Sequence, residues 1–479
     1  MGISQKFIEW VPHNIPNGIA KLRLNLYKFP NYIGHASSRI SRFQNEDNYS
    51  MAMLKLMSRN KEYQIDCMNK PSYTGQKVLK DKTEKDKHMF TKPVLNLNIF
   101  DGHGGKETSG WLSDNLATEL ARTIPNKETF FQILKQYTEQ FPDSRYWKHI
   151  YEKKENYYNR FIVNCSTKKE QVLYNGSRMI FDKYGNIIDK TSLLSELDRL
   201  RIFQTFLGSD LQNCKNGLPG GSTASSIMLS PYNEDEKLPS ATRDTFFVSS
   251  DHLMKLCVVQ VGDCKVLICD KNGIAHSLTM MHHPNTTQEH KRLSHKDPAL
   301  PIAKKPTETE QKKDENFFED DENVGTDSFG EKRFLNVYAN TRSFGDVQGK
   351  SMGLSCEPDI YSYLIGSTRN LPHQEKAKLR FGGDECFVCL VSDGVTNVMS
   401  DQEIVDLITS TVNNRGLKKA TTQFVCDEVI KYLLAVSGKS ADNATCLVLR
   451  LSNWGNWPVL DRTGAMREER LMNQDELRE

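Results

Sequence analysis

The sequence predicts an α+β domain in which helices are layered on β-sheet. One observation is a set of six short apolar or alternating runs bounded by turn residues, a pattern typical of strands. These runs cover residues 94–100, 223–229, 256–261, 265–270, 386–392 and 444–451. The other observation is that helical patterns stand between and after the runs, at residues 110–123, 400–412 and 423–436. Strands and helices arranged around more than one sheet face predict a layered fold.

Composition limits the possible classes of protein. The chain has 479 residues, of which 38% are hydrophobic, so it can bury a large core. Its formal net charge is +2 and no basic stripe stands out, so no nucleic-acid partner is predicted. Its 11 cysteines are odd in number and lie mostly in apolar runs, which indicates reduced thiols. Cys386 and Cys389 have C-x-x-C spacing within a strand-like run, and we interpret them as buried core thiols.

The first 32 residues are poor in acids. Their basic residues are Lys6, Lys21, Arg23 and Lys28, against the single acid Glu9. This balance favours a mitochondrial targeting leader over residues 1–32, although residues 21–29 also alternate like a folded strand. No stretch approaches the length of a membrane helix, so no membrane span is expected. We predict a mitochondrial location, with a cytoplasmic one as the alternative.

The rest of the chain divides by composition. Residues 33–451 hold all the regular patterns and form the predicted domain, within which residues 122–217 are interpreted as a folded insertion with helical stretches such as 192–207. Residues 299–333 are charged and poor in aliphatic side chains, which predicts a disordered insertion. Residues 452–479 turn polar and charged and are predicted to be a tail that leaves the core.

Three acids lie at the ends of predicted strands. Asp101 opens the Gly-rich stretch "DGHGG" directly after one strand, Asp393 follows another, and Asp442 precedes the last. A Gly-rich turn with a solvent-facing histidine is the bland interpretation of "DGHGG". If the last strand runs antiparallel to the other two, however, the three carboxylates meet at one sheet edge and repel each other unless cations neutralise them. Hard oxygen ligands favour Mg²⁺ or Mn²⁺ over zinc.

An ordered set of motifs resembles the metal-dependent type 2C protein phosphatases, the PPM family. The motifs are "RFQNED", "FDGHGG", "GGSTAS", "VVQVGDCK", "NTRSFGD", "LVSDG" and "ADNATCLV". The resemblance implies a four-layer α/β/β/α sandwich of two central antiparallel sheets flanked by helices, with two Mg²⁺ or Mn²⁺ ions between the sheets. The stretches 32–50, 178–190 and 452–464 more particularly resemble a fungal, mitochondrial branch of the family.

The resemblance also implies roles for single residues. Metal ligands are implied at Glu46, Asp101, Gly102 (through its carbonyl), Asp393 and Asp442. Asp101 would bridge both metals, and Asp47 would orient a metal-bound water. Arg42 would hold the substrate phosphate, and His103 would be the general acid for the leaving oxygen. Asp263, Arg342 and Asp346 belong to similar segments, and we interpret them as structural ion pairs or turn formers.

The activity implied by the resemblance is hydrolysis of phosphoserine and phosphothreonine by a water that bridges the two metals, without a side-chain nucleophile. The partners implied are phosphorylated proteins, with matrix enzymes such as pyruvate dehydrogenase as candidates if the chain is mitochondrial; a monomer is expected. Two alternatives stay open. One is a pseudophosphatase that keeps the fold as a binding module, and the other is a two-metal nuclease, which would want a basic groove.

Overall fold

The computed structural model describes residues 2–10, 22–59, 89–164, 194–232, 244–248, 253–293, 324–326, 332–369, 371, 376, 379–438 and 441–476. The strands are β1 Ile3–Gln5, β2 Phe7–Trp10, β3 Leu22–Asn25, β4 Ile33–Ser38, β5 Asn48–Arg59, β6 Met89–Phe100, β7 Gly102–His103, β8 Gly221–Ser222, β9 Ala224–Pro231, β10 Leu253–Val261, β11 Lys265–Cys269, β12 Ala275–Ser277, β13 Val324–Thr326, β14 Lys332–Phe334, β15 Phe344–Gly345, β16 Asp359–Gly366, β17 Phe387–Val391 and β18 Ala444–Arg450.

The α-helices are α1 Glu107–Arg122, α2 Lys127–Gln140, α3 Arg145–Glu152, α4 Lys154–Tyr158, α5 Glu196–Lys215, α6 Thr287–Leu293, α7 Val347–Lys350, α8 Asp393–Thr396, α9 Asp401–Arg415, α10 Thr422–Val436 and α11 Gly464–Glu476. A 3-10 turn covers Leu26–Lys28, and a π-helical turn covers Asn159–Asn164. Among the described residues, no helix is long and apolar enough to cross a bilayer.

Two antiparallel sheets form the centre of the fold. The larger has the order β1-β5-β6-β9-β10-β16, and the smaller has the order β12-β11-β17-β18-β4. All pairings within them are antiparallel, for example Leu95 of β6 opposite Leu229 of β9 and Cys389 of β17 opposite Val448 of β18. A small third sheet, β15-β8-β7, lies at the end of β6.

Three buried clusters of side chains separate four layers. Between the sheets, Leu97 and Val258 of the larger sheet pack in one cluster with Leu390 and Leu447 of the smaller. A second cluster joins the larger sheet to α1, α2 and α5, and a third joins the smaller sheet to α9 and α10. The predicted α+β sandwich of two antiparallel sheets flanked by helices is therefore confirmed.

The strand faces explain why the sheets are buried on both sides. In β17 every residue is buried, and alternate residues point into different clusters, with Val388 between the sheets and Cys389 under the helices. The nine cysteines that the structure describes, Cys386 and Cys389 among them, are free thiols and buried, as predicted. Ser400 and Glu403 form a capping box at the start of α9, which satisfies backbone groups that a helix end leaves open.

Residues 122–217 fold against the larger sheet in the parts that the structure describes. Phe130 of α2 and Phe203 of α5 lie in the same cluster as the sheet residues. Residues 165–193 lie outside the described residues, as does most of the predicted disordered segment 299–333. At the end of that segment, Val324–Thr326 pairs with Lys332–Phe334 as an antiparallel ladder.

Both ends of the predicted domain extend further than expected. Ile8 and Leu26, from the predicted leader, are completely buried in the cluster between the sheets. The prediction that the chain leaves the core after residue 451 is wrong, because Trp454 and Trp457 are buried against Phe387 of β17. Indole rings bury enough apolar area to hold a polar and charged stretch onto the fold.

Replacing Trp457 with alanine should destabilise the protein by about 3–5 kcal/mol, because the change leaves a cavity against β17. The control is Val459→Ala, since Val459 lies in the same C-terminal stretch, is 85% exposed and should cost less than about 1 kcal/mol. Urea unfolding of both variants measures the difference. Equal losses for the two variants would contradict the assignment of the C-terminal tryptophans to the core.

Candidate active site

The glycines of "DGHGG" allow close approach around Asp101. Asp101 directly follows β6, and its carbonyl accepts a hydrogen bond from the backbone N–H of Thr223 at 2.9 Å. A Cβ atom on Gly102 would lie 2.5 Å from the carbonyl oxygen of Glu46 and 2.7 Å from Ser109 Oγ, so no other residue fits there. The tight turn therefore brings the predicted ligands Glu46, Asp101 and Gly102 into one small region.

The smaller sheet delivers the other acids to the same place. Asp393 begins α8 after β17, and Asp442 lies just before β18, whose antiparallel pairing with β17 puts the two acids at one sheet end. Asp47 is buried beneath them, where its Oδ2 accepts hydrogen bonds from Ser392 Oγ at 2.8 Å and Thr445 Oγ1 at 2.7 Å. The gathering of acids that the strand ends predicted is thus present in the structure.

The acids perturb one another's protonation. Burial, together with the charge of Asp393, raises the pKa of Asp101 well above its ordinary value. Burial and the charge of Asp263 raise the pKa of Asp393 to about 7. Burial raises the pKa of Asp47 to about 6, even though the hydrogen bonds from Thr445 and Ser392 act to lower it. The site holds more negative charge than it can stabilise with its own donors.

These residues fit divalent cations. Oδ1 of Asp47 and Oδ1 of Asp263 are buried and, among the described residues, have no hydrogen-bond partner. A hard cation bound at the acids would lower their raised pKa values and would coordinate carboxylate oxygens that lack a hydrogen-bond partner. Among the described residues, no group of three or more His, Cys, Asp or Glu side chains stands in an arrangement that could hold a metal ion. The fit to Mg²⁺ or Mn²⁺ rests on the chemistry of the donors, because these ions prefer carboxylate and carbonyl oxygens.

Asp263 lies at the acid cluster, which the sequence interpretation did not anticipate. It was expected to be a structural ion pair or turn former, and its charge acts on both Asp101 and Asp393. It lies in the short connection between β10 of the larger sheet and β11 of the smaller one. A connection that crosses from one sheet to the other must pass the rim where the acids meet, which is the signal that could have found it.

Arg42 lies at the rim of the acid cluster. Its Nη2 is 2.8 Å from Oδ2 of Asp442, and its side chain is 55% exposed. Glu46 Oε1 accepts a hydrogen bond from Gln44 Nε2 at 2.7 Å. An exposed guanidinium paired to a cluster acid can turn toward a phosphate without losing a buried contact.

Asn443 is a second residue that sequence analysis missed. Its Oδ1 accepts from the backbone N–H of Glu46 at 2.8 Å, and its Nδ2 donates to the carbonyls of Arg39 at 3.2 Å and Gln44 at 3.0 Å. One buried amide therefore fixes the loop that carries Arg42 and Glu46. Its position directly after Asp442 was visible in the sequence, but its long-range contacts were not.

His103 is paired with Asp346. Its Nε2 is 2.7 Å from Asp346 Oδ2, and the small sheet holds the two together, since His103 of β7 lies opposite Gly221 of β8, which lies opposite Gly345 of β15. A Cβ atom on Gly221 would lie within 2.5 Å of both side chains. Burial acts to lower the pKa of His103, but the hydrogen bond and charge of Asp346 outweigh it and raise that pKa.

Arg342 is confirmed as a structural ion pair, because it is buried in a cluster with Glu289 at 2.5 Å and Asp359 at 3.1 Å. Asp346 is also ion-paired, as expected, and its partner is His103 of the predicted site.

The fold and its site define a layered α+β sandwich with an acid cluster at the rim between two sheets. The family described as "Protein phosphatase 2C" matches residues 137–443, which is more than half of the chain. The chain belongs to the protein phosphatase 2C family and is a serine/threonine phosphatase of that type. The predicted resemblance is confirmed. The matched range includes Asp393 and Asp442, whereas Arg42, Glu46 and Asp101 precede it.

Individual relatives cover different parts of the chain. The chain is similar to "Protein phosphatase 2C homolog 4" of Schizosaccharomyces pombe, with 28% identity over 82% of this chain and 78% of the relative. It is also similar to "Protein phosphatase 1K, mitochondrial" of Xenopus laevis, with 27% identity over 42% of this chain and 41% of the relative. A solved serine-threonine phosphatase 2C from Toxoplasma gondii covers 94% of this chain and is itself covered for 99% of its length, with 14% identity and a TM-score of 0.42.

The raised pKa of Asp393 predicts how pH affects stability when metal ions are removed by chelation. The folded chain holds this proton up to a pH of about 7, whereas the ordinary pKa of an aspartate side chain is 3.8. Because the folded state binds more protons than the unfolded state in that window, its contribution to the free energy of unfolding falls as pH rises from about 4 to about 7. Asp393→Asn removes this effect. The free energy of unfolding of the variant minus that of wild type should therefore be about 1–3 kcal/mol larger at pH 8 than at pH 5.

Urea unfolding in EDTA at the two pH values measures that change. Asp401→Asn is the control, because Asp401 pairs with Lys265 outside the acid cluster. A difference between Asp393→Asn and wild type that is the same at pH 5 and pH 8 would contradict the raised pKa.

Proposed function

We propose that this phosphatase hydrolyses phosphoserine and phosphothreonine in proteins with two divalent cations, Mg²⁺ or Mn²⁺, held by the acid cluster. The observation that carries the proposal is that the strand ends bring Asp101, Asp393 and Asp442 to one rim of the sheets, where burial and neighbouring carboxylates raise the pKa values of Asp101 and Asp393. The proposed ligands are Glu46, Asp101, the Gly102 carbonyl, Asp393 and Asp442, with Asp47 orienting a water. When bound, the cations would supply an activated water and neutralise charge on the phosphate.

The chain's own residues position the acids for this task. Ser392 and Thr445 hold Asp47 by donating to one of its oxygens, and the other oxygen is buried with no hydrogen-bond partner among the described residues. The backbone N–H of Thr223 fixes the carbonyl of Asp101 and therefore the turn that follows β6.

Arg42 is the proposed binding group for the substrate phosphate. Its guanidinium can offer two parallel N–H donors to two phosphate oxygens. The ion pair with Asp442 places the guanidinium at the acid cluster before substrate arrives. A phosphate bound there would lie between Arg42 and the acids.

His103 is the proposed general acid. Asp346 stabilises the protonated ring, which must give a proton to the serine or threonine oxygen as the P–O bond breaks. The side chain is 42% exposed, so it can reach a leaving group that enters from solvent. Serine and threonine alkoxides are poor leaving groups, so this proton matters most for the natural substrate class.

We also propose a mitochondrial location, which the similarity to "Protein phosphatase 1K, mitochondrial" supports, with phosphorylated matrix enzymes as candidate substrates. A cleaved leader over residues 1–32 is not part of this proposal, because Ile8 and Leu26 are buried in the core. Locating a C-terminal fluorescent fusion in cells tests the mitochondrial assignment. The alternative of a pseudophosphatase would be favoured by binding of phosphoproteins without turnover.

Turnover of p-nitrophenyl phosphate should require Mg²⁺ or Mn²⁺ and be lost in excess EDTA. Asp393→Asn should lower kcat by at least about 100-fold, because it removes a charged ligand. Asp401→Asn should retain activity. Full activity in EDTA would exclude the two-cation proposal.

Arg42→Ala should mainly raise KM for phosphopeptides, because it removes phosphate binding that is present before the reaction. The control is Arg122→Ala. Arg122 is 68% exposed and is the last residue of α1, at the end of that helix away from the "DGHGG" turn. An unchanged KM in Arg42→Ala would contradict the assignment.

His103→Gln should mainly lower kcat, by about 100-fold or more for phosphopeptides and much less for p-nitrophenyl phosphate, whose leaving group needs no proton. His276→Gln is a closely matched control, because His276 pairs with Asp270 at 3.1 Å and has a similar exposure of 36%. Equal losses of kcat on the two substrates would exclude the general-acid role.

A further inference from the structure

Asp346, the partner of His103, has an unusual backbone conformation. It directly follows the two-residue strand β15 and has a φ of 47°, in the left-handed region. A residue other than glycine keeps such a conformation only where the surrounding contacts fix it. The side chain of Asp346 is 7% exposed, whereas that of His103 is 42% exposed. The contacts that fix Asp346 therefore lie on its interior side, away from solvent.

A buried ion pair holds the backbone that leads to Asp346. Lys350 Nζ of α7 is 2.9 Å from Asp210 Oδ2 of α5, and both side chains are fully buried. Lys350 Nζ also donates to the carbonyl of Ser343 at 2.6 Å. Asp210 Oδ1 accepts from the backbone N–H of Gly345 at 2.8 Å. The two partners of the ion pair thus each hold one backbone group of residues 343–345.

The lysine of this pair keeps its charge in the interior. Burial acts to lower the pKa of Lys350, but the charge of Asp210 outweighs burial and raises that pKa. The hydroxyl of Tyr137 also donates to Asp210 Oδ2, at 2.6 Å. A buried ion pair is costly to desolvate, and apolar residues of similar volume can often replace it without loss of stability. A role in fixing one geometry therefore explains this pair better than a gain in stability does.

Ser343 adds a direct contact to the carboxylate of Asp346. Its Oγ donates to Asp346 Oδ2, which is the oxygen that lies 2.7 Å from His103 Nε2. The backbone N–H of Asp346 donates to the carbonyl of Gly220 at 3.1 Å. Because Lys350 holds the carbonyl of Ser343, the contacts form a continuous chain from the buried ion pair to the imidazole ring.

We propose that Asp210, Lys350 and Ser343 are positioning residues, which act through Asp346 to hold His103 where it can protonate the leaving oxygen. The inference rests on the proposed general-acid role of His103. All three side chains are buried, so they act on the reaction only through Asp346. A displacement of about 1 Å in a reacting group can lower a rate by about 100-fold. The loss should appear only where the leaving group needs a proton.

The first test combines Asp210→Asn with Lys350→Met in the full-length protein. The double change removes both charges together, so no single charge is left buried, and asparagine keeps an acceptor for the N–H of Gly345. In Mg²⁺, kcat on phosphopeptides should fall by about 10-fold or more, because the imidazole is no longer held in place. The value of kcat on p-nitrophenyl phosphate, and KM for both substrates, should stay within about 2-fold of wild type.

Ser343→Ala is the milder variant and carries the test alone if the double variant does not fold. It removes only the hydroxyl that contacts Asp346, so kcat on phosphopeptides should fall by about 3-fold or more while kcat on p-nitrophenyl phosphate is kept. Thermal unfolding of every variant shows whether the compared samples are folded.

Two controls match these variants. Asp406→Asn changes another fully buried acid, which is 3.7 Å from Arg462 in a different part of the fold. Ser362→Ala changes another buried serine, whose hydroxyl has no hydrogen-bond partner among the described residues. Both controls should keep the wild-type ratio of kcat on phosphopeptides to kcat on p-nitrophenyl phosphate.

Two results would overturn the proposal while His103→Gln still shows the expected loss on phosphopeptides alone. One is a wild-type ratio of the two kcat values in the folded variants, and the other is an equal fall of kcat on both substrates. Either would show that the buried pair and the serine serve stability only. A failure of the proposed function differs, because His103→Gln would then lose kcat equally on both substrates, which would exclude the positioning role as well.

Discussion

Mutual repulsion among buried carboxylates is the constraint on which the site depends. Three of these carboxylates, Asp101, Asp393 and Asp47, come from different segments of the chain. Burial and repulsion between them both cost free energy. They stay together because each is fixed beside a strand with buried side chains on both faces. The apolar clusters above, between and below the two sheets supply the free energy that keeps the acids close.

The small third sheet also holds charged side chains together at the rim of the fold. β7, β8 and β15 are two residues long each, yet they hold His103 at its partner Asp346. Their anchor lies behind them, where Asp210 Oδ1 accepts from the N–H of Gly345 and Asp210 Oδ2 pairs with Lys350 at 2.9 Å. Because that ion pair is fully buried, it fixes the backbone that carries Asp346.

Much of the fold could be predicted from local pattern, and much of the site from the ends of the strands. Apolar runs identified β17 and β18 because burial on both faces leaves a continuous signal, and an alternating run identified β6. The strand ends then predicted that three acids meet at one edge of the sheets, because an acid at the end of a buried strand can lie only at the edge. These acids are Asp101, Asp393 and Asp442. The C-terminal tryptophans were missed because a composition argument counts charges and turn residues but does not show which aromatic faces find a partner.

The partners of the site residues could not be predicted for a related reason. The contact between His103 and Asp346 joins positions 243 residues apart, and no spacing in the sequence indicates it. The same holds for Asp263, whose role depends on how two sheets face each other. Pattern reports the structure within one strand or helix, whereas these contacts depend on how the strands and sheets pack together.

The loop from Arg39 to Gln44 shows how the phosphate-binding and acid parts of the site are coupled. Ile40 has a φ of 46°, a left-handed conformation that costs a β-branched residue roughly 1–3 kcal/mol. The loop keeps this conformation because Asn443 holds the carbonyls of Arg39 and Gln44 and the N–H of Glu46. Asn443 follows Asp442, which pairs with Arg42. A single dipeptide thus sets the distance between the arginine and the acids, and a shift of either part would move the other.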